Sequence, residues 1–410
     1  MNKITRVAAL GVIVGLGACE AKDTVFGPVA PADAAGIFAS YVAIGNSITA
    51  GYQSLGINDS TQRQSYARLL AIQMGTQYHY PSLQGRGCTP PIANTQTGAL
   101  VGTGSTSTTC DLRAASSVTD VLNNVAVPGA RVLDPTSAST VASNALTTFI
   151  LGGKTQVMRA LDARPTFVSI WIGNNDVLVA GLTGILVPQP ALGQAGIIST
   201  QAQFQTSYDL MIKQLTDSAP GLKGVLIGVE QVAYLPSMVS AALIAASPAA
   251  QGAINAATGK TVTIHPNCTG STALIDVPQL IPQIKSGALP PFIVCDKATP
   301  GFPFPVGDIF VLDPAEQATL SATISGYNTY IAGKATAIGF AYYDPNVLFA
   351  AKRASGEIPP FPNVANATAT FGNLISLDGV HPAAAAHVLI ANDIIGVINT
   401  KYGTKLALVP

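Results

Sequence analysis

The sequence predicts an α/β domain: a parallel sheet with helices on both faces. Three observations carry that expectation. Short apolar runs of strand length alternate along the chain with longer segments that are apolar at helical spacing. The runs are apolar almost throughout, as strands buried on both faces are. Several of them stop at a glycine, namely Gly45, Gly129 and Gly173, and such sheets gather their sites just beyond the carboxyl ends of the strands.

SYVAIG (40–45) is the first strand, a short apolar run closed by glycine. YARLLAIQMG (66–75) then reads as a helix carrying Leu69, Leu70, Ile72 and Met74. The stretch from 80 to 118, rich in Gly, Thr, Ser and Pro, reads as a long loop. NVAVPGA (124–130) gives a second strand with its turn. ALTTFILGGKTQVMRAL (145–161) gives one helix that tolerates Gly152 and Gly153. Pro165 introduces TFVSIWIG (166–173), a buried strand holding Trp171, the only tryptophan. FQTSYDLMIKQL (204–215) is an amphipathic helix, and GVLIGVEQV (224–232) a strand.

Asp313, Pro314 and Glu316 open the helix of 312–339 as N-cap, N1 and N3. Leu320, Ile324, Tyr327 and Ile331 then recur at helical spacing. FAYYDP (340–345) is the fifth strand, and HPAAAAHVLIANDIIGVINTKYG (381–403) the closing helix, with Pro382 at its start and Gly403 after its end. Residues 235–306 break the alternation, being first Ala-rich and then Pro-rich. They read as a loop-rich insertion, in which 237–249 suits either a lid or a helix packed on the scaffold.

The chain opens with Lys3 and Arg6 before an apolar run, Val7 to Gly17, too short for an ordinary spanning helix. The run ends in Leu-Gly-Ala before Cys19. This resembles a bacterial lipoprotein signal: 1–18 is removed, Cys19 carries the lipid, and 19–37 is a tether. A plain secretory signal is the alternative. Glu20 after the cysteine favours the outer over the inner membrane of a cell envelope, by analogy with sorting in which Asp at that position retains a lipoprotein at the inner membrane.

Losing Lys3 and Arg6 leaves 19 of the 21 basic residues against 21 acidic ones. That balance gives no electrostatic footprint for nucleic acid. Four cysteines remain, Cys88, Cys110, Cys268 and Cys295, which an oxidising compartment would pair. Of the three possible pairings, Cys88–Cys110 with Cys268–Cys295 joins neighbours, each closing one Gly/Pro/Thr-rich loop. A zinc site is the rival, but there is no Cys-x-x-Cys pair and the histidines are scattered.

Ester hydrolysis through an enzyme serine needs a hydroxyl with a base in reach, a group orienting that base, and donors for the oxyanion. Ser47 follows the first strand in YVAIGNSITAG and starts the next helix. Asp378 and His381 lie three apart in SLDGVHP, where a turn at Gly379 folds the carboxylate back onto the imidazole. Gly129, without a Cβ, can bring its N–H close to a substrate. Asn175 in GNND can offer its side-chain amide. Singly, each has a bland reading: a cap serine, a capping histidine, a turn glycine, an Asx-turn. His387 reads as packing, and His79 and His265 lie in loops without a nearby acid.

Together the four stretches resemble the SGNH, or GDSL-type, serine hydrolase family. Gly45-Asn46-Ser47-Ile48-Thr49-Ala50-Gly51 is similar to its Gly-Asp-Ser-x-x-x-Gly block. Gly129, preceded by Asn124, stands for its second-block glycine. Gly173-Asn174-Asn175-Asp176 matches Gly-x-Asn-Asp, and Asp378-Gly379-Val380-His381-Pro382 matches Asp-x-x-His-Pro. The resemblance implies a three-layer α/β/α fold with a flavodoxin-like parallel sheet for the domain of 38–403; it covers roughly 38–235 and 307–403 and does not extend to the insertion between them. It implies Ser47 as nucleophile, His381 as general base and acid, and Asp378 as its orienter. The oxyanion donors would be the N–H groups of Ser47 and Gly129 and the Asn175 amide. The implied activity is that of an esterase or lipase acting on a small-molecule or lipid ester, without metal or organic cofactor. A polysaccharide O-acetyl esterase is the alternative enzyme, and a lipid-anchored binding protein on the same fold the non-catalytic one. Asn46 departs from the family's aspartate: it keeps the turn preference and removes a charge beside the nucleophile.

Overall fold

The computed structural model describes residues 36–94, 98–102, 121–137, 146–191, 196–296, 310–361, 363 and 370–410. The signal segment, Cys19 and Cys110 lie outside these residues.

Successive strand side chains point to opposite faces, and both faces of this sheet are covered. In β1 (Tyr41–Gly45), Val42 and Ile44 enter one core while Tyr41 and Ala43 enter the other. The four-residue α1 (Ser47–Ala50) and then α2 (Tyr66–Met74) follow. After α3 (Gln156–Asp162), β2 (Phe167–Trp171) repeats the division: Val168 and Ile170 go one way, Phe167 and Trp171 the other. Next come α4 (Gln201–Ser218) and β3 (Lys223–Ile227), whose Leu226 faces the first core and whose Val225 and Ile227 face the second.

The chain then departs into β4 (Met238–Ser240), α5 (Ala241–Ala246), β5 (Leu274–Asp276) and β6 (Val311–Leu312). It returns with α6 (Pro314–Ile338), β7 (Ala341–Tyr343), α7 (Pro345–Ala354) and α8 (Ala384–Tyr402). The central sheet has the order β1-β2-β3-β7, and every pairing is parallel. Side chains of α3, α4 and α6 fill the first core, and those of α2 and α8 the second. This is the three-layer α/β/α arrangement that the alternation predicts. The capping box of α6 forms as read, Asp313 and Glu316 each accepting the other's backbone N–H.

Several elements differ from the sequence reading, each for a local reason. The helix expected over 145–161 is two, Leu146–Leu151 and α3, because Gly152 and Gly153 take φ of 64° and 83°. The strand expected at 124–130 is not regular. Its backbone does run beside β1, with Val125 and Val127 donating to the carbonyls of Ala43 and Gly45. The Gly45 N–H, however, goes to Gln156 Oε1 at 3.0 Å, so the ladder loses a rung and the regular central sheet has four strands rather than five. The strand expected over 224–232 ends at Ile227, and the closing helix begins at Ala384, beyond Pro382. The sequence reading missed α7, although Asp344 caps it and Pro345 opens it.

Between β3 and α6, strands β4, β5 and β6 pair antiparallel around a small core of their own. Ala241 and Ile244 of α5 are buried in that core, so this helix packs on its own surroundings and is not a free lid. Cys268 and Cys295 are disulfide-bonded, as expected. Closing that 27-residue separation restricts the unfolded chain by about 3 kcal/mol on the chain-entropy model. Cys88 is disulfide-bonded too. No helix among the described residues is long and apolar enough to cross a membrane.

Candidate active site

Parallel register sets the site's level. Gly45 lies opposite Trp171, so the segments leaving β1 and β2 emerge side by side at the carboxyl edge. Asn46 is wholly buried and caps α1, its Oδ1 accepting the Ile48 N–H at 3.1 Å. An aspartate would make the same cap, so Asn46 preserves the turn without burying a charge. Gly45 is required where it stands: a Cβ there would meet Thr49 Oγ1 at 2.3 Å and the Trp171 carbonyl at 2.7 Å. Ser47 follows as the first helical residue, where a backbone N–H has no partner within the helix.

The loop before α8 brings up the other half. Ser376 N–H donates to the His381 carbonyl at 2.8 Å, and Gly379, with φ of 72°, turns the chain between them. The result places His381 Nε2 2.9 Å from Ser47 Oγ, and His381 Nδ1 2.8 Å from Asp378 Oδ2. The first pair is separated by 334 positions in sequence.

Asp378 is almost completely buried, and four donors surround its carboxylate. Oδ1 accepts the N–H groups of Val380 (2.9 Å) and His381 (2.8 Å), and Oδ2 accepts that of Leu55 (3.0 Å) besides the imidazole. Burial alone would raise its pKa; the His381 charge and these donors outweigh burial and hold it well below the usual carboxylate range.

The Leu55 donor could not be found from the sequence. Ser54 and Leu55 both have positive φ, 55° and 58°, in a tight reversal closed by Gln53 and Gly56. That conformation disfavours L side chains, and Ser54 anchors it by receiving the Leu377 N–H on its Oγ while donating its own N–H to Ser376 Oγ. Tyr52, also missed, lies with its ring centroid 4.9 Å from that of His381. Burial and the Asp378 charge push its phenol up to about 12, so it stays neutral around the imidazole.

Gly173 has φ of 114°, and a Cβ there would meet the Phe204 ring at 2.7 Å. Asn175 lines the same small pocket as Ser47 and His381, and its Nδ2 donates to the Ala130 carbonyl at 2.9 Å. The neighbouring Asp176 is fully buried; it accepts the Val132 N–H at 2.8 Å and stands 3.5 Å from Arg131 Nε. These bonds tie the turn holding Gly129 to the end of β2. Gly129 itself is exposed and outside the lining of that pocket. His387 is buried, its Nδ1 accepting the Tyr66 N–H at 3.2 Å, and burial lowers its pKa to about 3, so it packs as a neutral ring. A larger hollow lies at the opposite edge of the sheet, around Gly36, Thr166 and Lys223, and holds none of these groups.

A family model described as GDSL-like lipase/acylhydrolase matches residues 41–394. The chain belongs to the GDSL-like lipase/acylhydrolase family. The match spans every element from β1 into α8, the inserted antiparallel sheet included, and membership makes this chain a hydrolase of the ester-cleaving kind. No curated protein matches the chain. Within the family frame, Ser47, His381 and Asp378 form one hydrogen-bonded line, and Asn175 borders the same pocket.

Proposed function

We propose that this GDSL-like hydrolase is a carboxylic ester hydrolase acting through Ser47, His381 and Asp378. The observation that carries the reading is the line of two short hydrogen bonds from hydroxyl to imidazole to buried carboxylate. Ser47 Oγ attacks the ester carbonyl carbon while His381 Nε2 takes its proton. Asp378 fixes the tautomer with the proton on Nδ1 and stabilises the imidazolium. The Ser47 N–H and the Asn175 amide, which border the pocket, hold the tetrahedral oxyanion, and the Gly129 N–H is the third donor that the family resemblance implies. Collapse expels the alcohol, which takes the proton from His381. Water, activated by the same imidazole, then releases the acid and restores Ser47.

The pocket beside Ser47 holds about 20 Å³, room for one water or a group of similar size. Ile48, Leu178, Val232, Leu235 and Val380 give it aliphatic walls. A pocket of this size favours small acyl groups, and short esters are the proposed substrates. Across p-nitrophenyl acetate, butyrate and octanoate, kcat/KM is expected to fall with chain length. A rise toward octanoate would remove the short-ester reading, and absence of turnover on all three would remove the ester hydrolase itself.

The chain is further proposed to be a lipoprotein of a bacterial envelope, cleaved before Cys19 and lipidated there, with the outer membrane its destination. The Leu-Gly-Ala-Cys order supports this. Globomycin is expected to leave the precursor unprocessed in a bacterial host; a mature protein starting elsewhere would refute the anchor.

A further inference from the structure

The pocket beside Ser47 and His381 is aliphatic except at two points that the ester mechanism does not use. Glu230 lies three residues beyond the end of β3, and Asn174 lies at the same edge, beyond the end of β2. Both line the pocket. Glu230 Oε1 and Asn174 Oδ1 are each closed off from solvent, and neither has a hydrogen-bond partner among the described residues. A buried acceptor left without a partner is destabilising, so two of them on side chains that line one small pocket call for a ligand that satisfies them. Glu230 also stands in the wall between this pocket and a second hollow reaching toward Asn346 and Phe349, the two sharing Leu235 and Val380.

From this geometry we infer that Glu230 and Asn174 form a subsite for a hydroxyl group carried by the substrate close to its scissile ester. The inference rests on the ester hydrolase reading and names the class of ester: a short hydroxylated one, the hydroxyl standing on the acid or on the alcohol portion. A neutral hydroxyl suits the pocket: its O–H can donate to one acceptor while its oxygen accepts from a protonated carboxyl at the other, and it enters a 20 Å³ space without burying a charge, as an ammonium group would. The walls offer no aromatic face for a cation. Burial pushes the Glu230 carboxyl up to about 8, so near neutral pH it is largely uncharged and can exchange hydrogen bonds with a hydroxyl in both directions.

The test uses three esters that differ by one hydroxyl: ethyl acetate as reference, ethyl glycolate with the hydroxyl on the acid side, and 2-hydroxyethyl acetate with it on the alcohol side. Each kcat/KM is divided by the rate constant of the same ester with hydroxide, which removes intrinsic reactivity. For the parent protein, one hydroxylated ester is expected to exceed ethyl acetate by about tenfold or more, because the analogue leaves both acceptors unpaired. Which arm responds identifies the side that carries the hydroxyl. Glu230→Leu, shown to be folded by circular dichroism, is expected to bring that ratio close to one. Glu230→Gln, which keeps an acceptor oxygen, should retain most of it. Equal normalised rates on all three esters would overturn the subsite while leaving the ester hydrolase standing. A preference that survives Glu230→Leu would overturn it as well. A parent that hydrolyses none of the three would overturn both.

Discussion

Ser47→Ala is expected to lower kcat on p-nitrophenyl acetate by about 10⁴-fold or more, the scale on which a covalent mechanism fails when its nucleophile is removed. Two measurements check it: initial rates with excess ester, and labelling by a fluorophosphonate probe, which requires the same activated oxygen. The fold should survive. Ser47 sits in a helix of four residues capped by Asn46, and its hydroxyl meets His381, so alanine removes an oxygen and leaves the cap intact. What remains after the substitution is binding plus oxyanion stabilisation, which by itself still exceeds uncatalysed hydrolysis. A variant that turned over the ester as fast as the parent would refute the nucleophile and, with it, the proposed mechanism.

The second large effect is expected from Asp378→Asn, which keeps the shape of the side chain and removes its charge. An amide facing His381 Nδ1 can donate, favouring the tautomer whose proton sits on Nε2, the wrong one for accepting a proton from Ser47. The loss should again be about 10⁴-fold in kcat. Asp378 also makes a stability prediction with a definite sign. Its folded pKa is depressed, so its contribution is fully present above the unfolded carboxylate value of about 4 and is lost as pH falls below that value toward the folded pKa. Urea unfolding of the parent between pH 6 and pH 3 should show this loss, and Asp378→Asn should show a flatter dependence. An unchanged acid slope in the variant would mean that the four donors around the carboxylate do not hold its charged form.

The four motif blocks were readable because each is a local device. Gly45 is small because Thr49 and the Trp171 carbonyl leave no room for a Cβ, and Gly379 turns the chain between Asp378 and His381. Strand and helix patterns were readable for the same reason: burial on both faces makes β1 and β2 apolar at almost every position. The misses were places where a distant group took over a local one. Gln156 takes the Gly45 N–H and leaves 124–130 short of a regular strand. Leu55, in a strained reversal, reaches Asp378 across 323 positions, and Tyr52 lies against His381. Glu230 reads in sequence as the polar end of a strand run.

The sequence by itself determined the alternation of elements, the turns that end β1 and β2, and which residue types carry the chemistry. Those properties follow from steric and hydrophobic preferences acting over a few residues. Only the tertiary structure decided that Ser47 and His381 touch, that Leu55 donates to Asp378, and that Glu230 and Asn174 share their pocket. Those contacts depend on strand order and on loops folding back over the sheet's carboxyl edge, and no local preference encodes either.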